Sequence, residues 1–203
     1  MQSFESARVA GVLLAAGLSR RMGRNKLLIE LGERSVVRRA AETAAAAGFF
    51  SLLVVVGHQR ERVESELAGI ACKPVFNPDS ASGIHTSLRA GLAAVPESCE
   101  AAVVMLADMP LVSAAMLREL VERFRGGAAP LVISTYDGVS APPILYSRAL
   151  FPELCALETE DSGRRLVHCH RAEALELAWP AEALTDLDLP EDLERVRALL
   201  TDK

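Results

Sequence analysis

Short apolar runs rich in β-branched residues alternate with helical patterns along almost the whole chain, and this alternation restricts the fold more than any other feature. Residues 9–16, 52–56, 72–76 and 101–107 read as buried strands, because continuous apolar runs of this length suit strands covered on both faces. Between them lie helical stretches with readable ends. Ser35 is placed to cap a helix that Gly48 closes, and residues 60–67 form a charged amphipathic helix before Gly69. Residues 84–94 read as a third helix. Ser113 caps a fourth, with Leu117, Leu120, Val121 and Phe124 on one face and Gly126-Gly127 at its end. Further strands are expected at 131–134, 144–146 and 174–178, and a last helix runs from Pro190 to Leu200. Strand–helix alternation at this pitch implies one α/β domain over 1–203, with a mostly parallel sheet covered by helices on both faces in three layers. Residues 137–172, which hold Pro142-Pro143 and two short helical patterns, are less regular and read as a lid or an acceptor-binding insertion.

The bulk numbers agree with a single domain of 203 residues. Half the residues are hydrophobic but only 4% are aromatic, so the core must be built mainly of Ala, Leu and Val. A net charge of −5 argues against general nucleic-acid binding, and no apolar run approaches the ~18 residues of a membrane span. Cys72, Cys99, Cys155 and Cys169 form no Cys-x-x-Cys motif. With no export signal, they are expected to be reduced thiols of a cytoplasmic protein. Cys169 lies between His168 and His170, but adjacent side chains point in different directions and do not converge on one ion.

The polar residues that follow the strands carry the chemistry. After the first strand comes Gly17-Leu18-Ser19-Arg20-Arg21-Met22-Gly23-Arg24-Asn25-Lys26. Glycine lets backbone approach a ligand, and successive N–H groups in such a loop form an anion site. Three arginines and a lysine add charge for phosphates. The spacing is neither Walker A nor the dinucleotide fingerprint. Gly57-His58-Gln59, Asn77 and Asp108 follow the next strands. In open α/β sheets, ligands bind at the carboxyl ends of strands, so these four places should converge on one crevice. A carboxylate just past an apolar strand, as at Asp108, suits Mg2+ held against triphosphate oxygens, with Mn2+ as the alternative.

The string Leu14-Ala15-Ala16-Gly17 through Arg21-Met22-Gly23 to Lys26 resembles the signature of the MobA-like nucleotidyltransferases, and its Ala-Ala-Gly form resembles the molybdenum cofactor cytidylyltransferase branch. Leu106-Ala107-Asp108-Met109-Pro110 is similar to a second family element. So is Asn77-Pro78 through Gly83 to Ser87-Leu88. Asp186-Leu187-Asp188-Leu189-Pro190-Glu191-Asp192-Leu193 resembles the C-terminal element, with Leu189 where the family has Thr. Residues 138–146 and 160–165 resemble the acceptor half, with Ser140 or Ala141 in a glycine position and Arg164 in place of a small residue.

The resemblance implies a transferase that moves CMP from CTP to a phosphorylated acceptor, molybdenum cofactor above all, and releases pyrophosphate. It implies Arg21 and Lys26 on the phosphates and Asp108 on the metal, joined by Asp186 or Asp188. Backbone at Leu14, Ala15, Ala16 and Gly17, with Ser19, Gly57, His58, Asn77, Gly83 and Ser87, would line the nucleotide. Ala16 adds a methyl that should crowd a purine and favour CTP. His58 reads equally as a turn residue, and His85 as a phosphate contact or a polar first-turn residue. A molybdoenzyme or its chaperone is the implied protein partner. Rival readings are a sugar- or polyol-phosphate nucleotidyltransferase, a non-catalytic carrier of molybdenum cofactor, and a nucleotide-sugar glycosyltransferase. A carrier has no need of Arg21, Lys26 and Asp108 together, and the glycosyltransferase would show a paired Asp-x-Asp where only Asp108 stands.

Overall fold

The computed structural model describes residues 7–19, 22–127, 129–187 and 190–201. Seven strands form one sheet: β1 (Val9–Ala15), β4 (Ser51–Val56), β5 (Lys73–Phe76), β6 (Ala101–Leu106), β7 (Leu131–Tyr136), β8 (Val139–Ser147) and β9 (Leu175–Trp179). Their order across the sheet is β5-β4-β1-β6-β8-β7-β9. A small hairpin of β2 (Glu30–Leu31) and β3 (Arg34–Ser35) stands apart. Of the seven strands only β8 is reversed, antiparallel to both β6 and β7, so the sheet is mostly parallel as its periodicity implies.

Alternate residues of the strands feed two cores. One face packs Val9, Leu13, Val54 and Val103 under α1 (Val36–Ala46), α2 (Arg60–Glu66), α4 (Ala114–Arg125) and α7 (Pro190–Thr201). The other packs Val12, Leu53, Val55 and Val104 under α3 (Ile84–Ala93), α5 (Phe151–Cys155) and α6 (Glu160–Cys169). The two serine caps form as their positions suggest: Ser35 Oγ accepts from Arg38 N at 3.2 Å and Ser113 Oγ from Met116 N at 3.2 Å. Gly91 lets α3 lie close on the sheet, since a Cβ there would fall 2.5 Å from Val12 Cγ1. No helix among the described residues is long and apolar enough to cross a membrane.

The structure departs from the sequence reading at residues 137–147. A strand was expected only at 144–146, but β8 spans nine residues and lies inside the sheet between β6 and β7. The reason is local. Asp137 and Gly138 both have positive φ, 49° and 80°, and make a two-residue hairpin turn that pairs Tyr136 with Val139. The prolines that obscure the strand sit where its register with β7 shifts. There Ser134 Oγ donates to Pro143 O at 2.6 Å and Tyr136 Oη to Pro142 O at 2.8 Å. What stands outside the sheet in this region begins after Ser147 and is mainly α5 and α6.

Candidate active site

Register brings four strand ends to nearly one level. Ala15 pairs with Val56, Val56 with Phe76, and Leu14 with Leu106. Two bonds beyond the strands keep the exits together: Asn77 N donates to Val56 O at 2.8 Å, and Ala107 N donates to Leu14 O at 3.1 Å. The residues after Ala15, Val56, Phe76 and Leu106 therefore leave the sheet along one edge, as the strand-end argument requires.

At the centre of that edge, Lys26 Nζ lies 2.5 Å from Asp108 Oδ2, with the two side chains 12% and 20% exposed. The loop between Gly17 and Lys26 closes on itself to allow this. Ser19 adopts a left-handed φ of 50°, its carbonyl accepts from Met22 N, and its Oγ accepts from Lys26 N at 3.0 Å. Asn25, itself buried, caps the short 3-10 turn Lys26–Leu28 through Leu27 N. Ser19 thus braces the loop through its side chain, while Gly17 is exposed with open space around its Cα. Arg20, Arg21 and Asp188 lie outside the described residues.

The C-terminal element reaches the same place by its backbone. Leu187, fully buried, donates its N–H to Asp108 O at 3.2 Å, and the exposed Asp186 precedes it in the chain. Tyr136 registers that carboxylate. Burial above all pushes its phenol well above the ordinary value; the Ser134 hydroxyl pulls it down, and Asp186, the weakest of the three, pushes it up. Among the described residues no three His, Cys, Asp or Glu side chains form a metal cage. One carboxylate with a second nearby, completed by phosphate and water, is the donor set Mg2+ or Mn2+ accepts. The Lys26 ammonium neutralises Asp108 in this structure.

The loop over 77–87 forms the other wall. Asn77 is 3% exposed and fully engaged: Oδ1 accepts from Asp79 N, and Nδ2 donates to Thr86 Oγ1 and Ser87 Oγ at 2.9 and 3.0 Å. Asn77 and Ser87 therefore hold the loop in shape. Gly83, at φ 124°, turns the chain into α3, and the His85 ring folds over it with a buried Nδ1 that has no hydrogen-bond partner. His58 is exposed at the start of the α2 turn.

Sequence reasoning missed Ser80. A Cβ on Gly57 would lie 2.4 Å from Ser80 Oγ, 2.6 Å from Ser80 Cβ and 2.9 Å from Ala16 Cβ. Ala16, Gly57 and Ser80 thus close on one another, and Ala16 is only 4% exposed. The available signal was a glycine straight after a β-branched strand, where close approach is the usual reason. The Ala16 methyl is turned into this packing. A groove of about 540 Å3 between Arg39, Glu42 and the 110–114 loop lies apart from these residues, and neither Lys26 nor Asp108 lines it.

A three-layer α/β sheet with a glycine-and-arginine loop, a lysine–aspartate pair and a second carboxylate gathered at the carboxyl edge has the build of a nucleotide-handling transferase. Residues 11–175 match the MobA-like NTP transferase domain, and the chain belongs to that family of nucleotidyltransferases. It is 30% identical to the purine catabolism protein PucB of Bacillus subtilis (strain 168), across 97% of this chain and 99% of that one. It is 28% identical to nicotine blue oxidoreductase of Paenarthrobacter nicotinovorans, across 93% of this chain and 96% of that one. Among solved structures, Rv0371c of Mycobacterium tuberculosis H37Rv superposes with a TM-score of 0.86 at 30% identity, covering 98% of this chain and 100% of that one. A manganese complex of Rv0371c superposes at 0.81 with 29% identity, covering 95% of this chain and 99% of that one.

Proposed function

We propose that this protein transfers CMP from CTP to a phosphorylated acceptor, molybdenum cofactor, and releases pyrophosphate. The observation that carries the reading is the Lys26–Asp108 pair at the level carboxyl edge of β1 and β6, in a chain of nucleotidyltransferase family. The cytidylyl and molybdenum cofactor assignments rest on the resemblance of Ala15-Ala16-Gly17 and its flanking motif. An acceptor phosphate oxygen attacks the α-phosphorus, the bond to the bridging oxygen breaks, and pyrophosphate leaves with the electron pair. Such transfers depend on positioning and charge neutralisation more than on covalent catalysis. Backbone N–H groups of the loop from Gly17 cradle the triphosphate, and Arg21 and Lys26 neutralise it, Lys26 most as charge develops on the leaving group. Gly57, His58 and the Ser80 turn border the base. Asp108, with Asp186 or Asp188, would hold Mg2+ or Mn2+, which when bound supplies Lewis-acid stabilisation of the phosphate oxygens.

The acceptor is assigned to the part of 137–172 outside β8. It is fixed to the nucleotide wall, since Arg89 of α3 donates to Cys155 O and Leu157 O at 2.9 and 3.0 Å. The test is pyrophosphate release with each of the four NTPs, with and without molybdenum cofactor. Release from CTP only when the cofactor is present supports the reading. Release with a sugar phosphate but not with the cofactor would replace the acceptor, and none with any NTP would leave a carrier.

A further inference from the structure

We propose that the groove between α1 and the loop after β6 is a second ligand site, built for a small aromatic carboxylate. The groove encloses about 540 Å3, within the ordinary range for small-molecule sites. Arg39, Glu42, Thr43 and Ala46 line one wall, at positions that share one face of α1. Pro110, Leu111 and Val112 line the other. Neither Lys26 nor Asp108 borders it, so the site is independent of the transfer chemistry proposed above.

The charge in the groove is unbalanced. Glu42 is the only carboxylate among the described residues that line it, and both of its oxygens are taken. Arg34 Nη1 lies 2.6 Å from Oε2, and Arg38 Nε lies 3.1 Å from Oε1. Arg39 is left with no carboxylate among the described residues. Its Nη2 donates to Leu31 O at 3.1 Å, and its buried Nε meets no acceptor. A guanidinium carries five N–H groups and keeps its charge at any ordinary pH. Most of that donor capacity is unspent, in a chain whose net charge is −5. A carboxylate matches such a planar fork with two parallel bonds. One uncompensated guanidinium balances one negative charge, which a carboxylate supplies and a doubly charged phosphate exceeds. The rest of the groove suits an apolar body. Ala46, Pro110, Leu111 and Val112 carry no charge. Thr43, Pro110 and Val112 also border a cleft of about 20 Å3 against Met109, so the apolar end opens inward. A flat ring lies against such a wall and stacks on a guanidinium plane.

The experiment titrates the full, isotope-labelled chain with 2-naphthoate and follows its amide chemical shifts by nuclear magnetic resonance. A ligand of about 13 non-hydrogen atoms at ordinary efficiency binds with a Kd of about 1 mM. The shifts should gather at residues 39–46 and 111–114. Arg39→Met should weaken binding at least about fivefold, through loss of the charge-assisted bonds. Ala46→Phe, which fills the apolar end from an exposed position, should weaken it at least about fivefold as well. 2-Naphthylmethanol, the same body without the charge, should bind at least about fivefold more weakly than 2-naphthoate, and 2-naphthyl phosphate no more tightly. Thermal melting checks each variant, and Arg39→Gln takes the place of Arg39→Met should that fail to fold. An absence of shifts in the two segments by about 10 mM overturns the site. So does a smaller change in either variant, or a set of shifts centred on residues 22–26, which would put the ligand in the candidate active site. An alcohol that binds within about fivefold of the carboxylate overturns the role of the anion. Tighter binding of the phosphate overturns the carboxylate.

Discussion

Gly57→Ala is the substitution whose effect can be worked most fully from the coordinates. The new methyl would lie 2.4 Å from Ser80 Oγ and 2.6 Å from Ser80 Cβ, with Ala16 Cβ at 2.9 Å. Rotating the serine hydroxyl removes only the first contact, because the second is to an atom fixed to the backbone. The 3-10 turn Ser80–Ser82 or the end of β4 must therefore shift. Overpacking of this kind costs about 1–3 kcal/mol. For a domain of this size each kcal/mol moves the melting temperature by roughly 2–4 °C, giving a fall of roughly 2–12 °C. The same shift displaces the loop that leads to Gly83 and His85, so the KM for nucleotide should rise about fivefold or more, the equivalent of ~1 kcal/mol. Ser80→Gly in the same chain removes both serine atoms and should recover more than half of that fall in melting temperature. The measurements are thermal melts and pyrophosphate release at varied CTP. A Gly57→Ala protein melting within about 1 °C of wild type with unchanged KM would refute the steric argument, as would a double variant that melts no higher than the single one.

Asp108→Asn keeps the size of the side chain and removes its charge, so turnover at saturating Mg2+ should fall below about a tenth of wild type, or ~1.4 kcal/mol of barrier; higher activity in a pyrophosphate-release assay counts against the metal role. Lys26→Ala should lower kcat more than it raises the nucleotide KM, and steady-state data in which only KM moves would make Lys26 a ground-state binder. Wild type should prefer CTP to GTP by roughly tenfold or more in kcat/KM, and Ala16→Gly should narrow that preference by loosening the Ser80 turn; equal use of the two nucleotides by wild type would remove the cytidylyl assignment and leave the transferase intact.

The layered α/β architecture was legible because β1, β4 and β6 are apolar on both faces and Ser35 and Ser113 cap α1 and α4. The level of the four strand ends was legible too, since a parallel sheet aligns them once its order is right. The length of β8 was obscured by Pro142-Pro143, which made the segment look irregular, although Asp137-Gly138 forms the hairpin that places the strand inside the sheet. Roles within the site were harder to read than membership. Asn77, Ser87 and Ser19 stand where the motifs put them, yet their polar atoms are spent on holding the loops. That distinction depends on distances across the fold, which spacing along a chain does not encode. Ser80 was invisible for the same reason.

The departure of β8 from β6 leaves the end of β6 paired on one side only. Their pairing ends at Val104 and Ile144, while β6 runs on beside β1 to Leu106. In the gap so left, the backbone of Leu187 is stitched to Asp108. Nearly everything else at the edge, from the Gly17 loop to Asp108, comes from the first 110 residues. Contacts between residues far apart along a chain carry the larger entropic cost of loop closure. The edge is therefore supplied from both ends of the sequence, with Asp186 returning to it from the far end. An edge built this way comes together only when the sheet is closed, so a break in the backbone between Asp108 and Asp186 would part the two carboxylates.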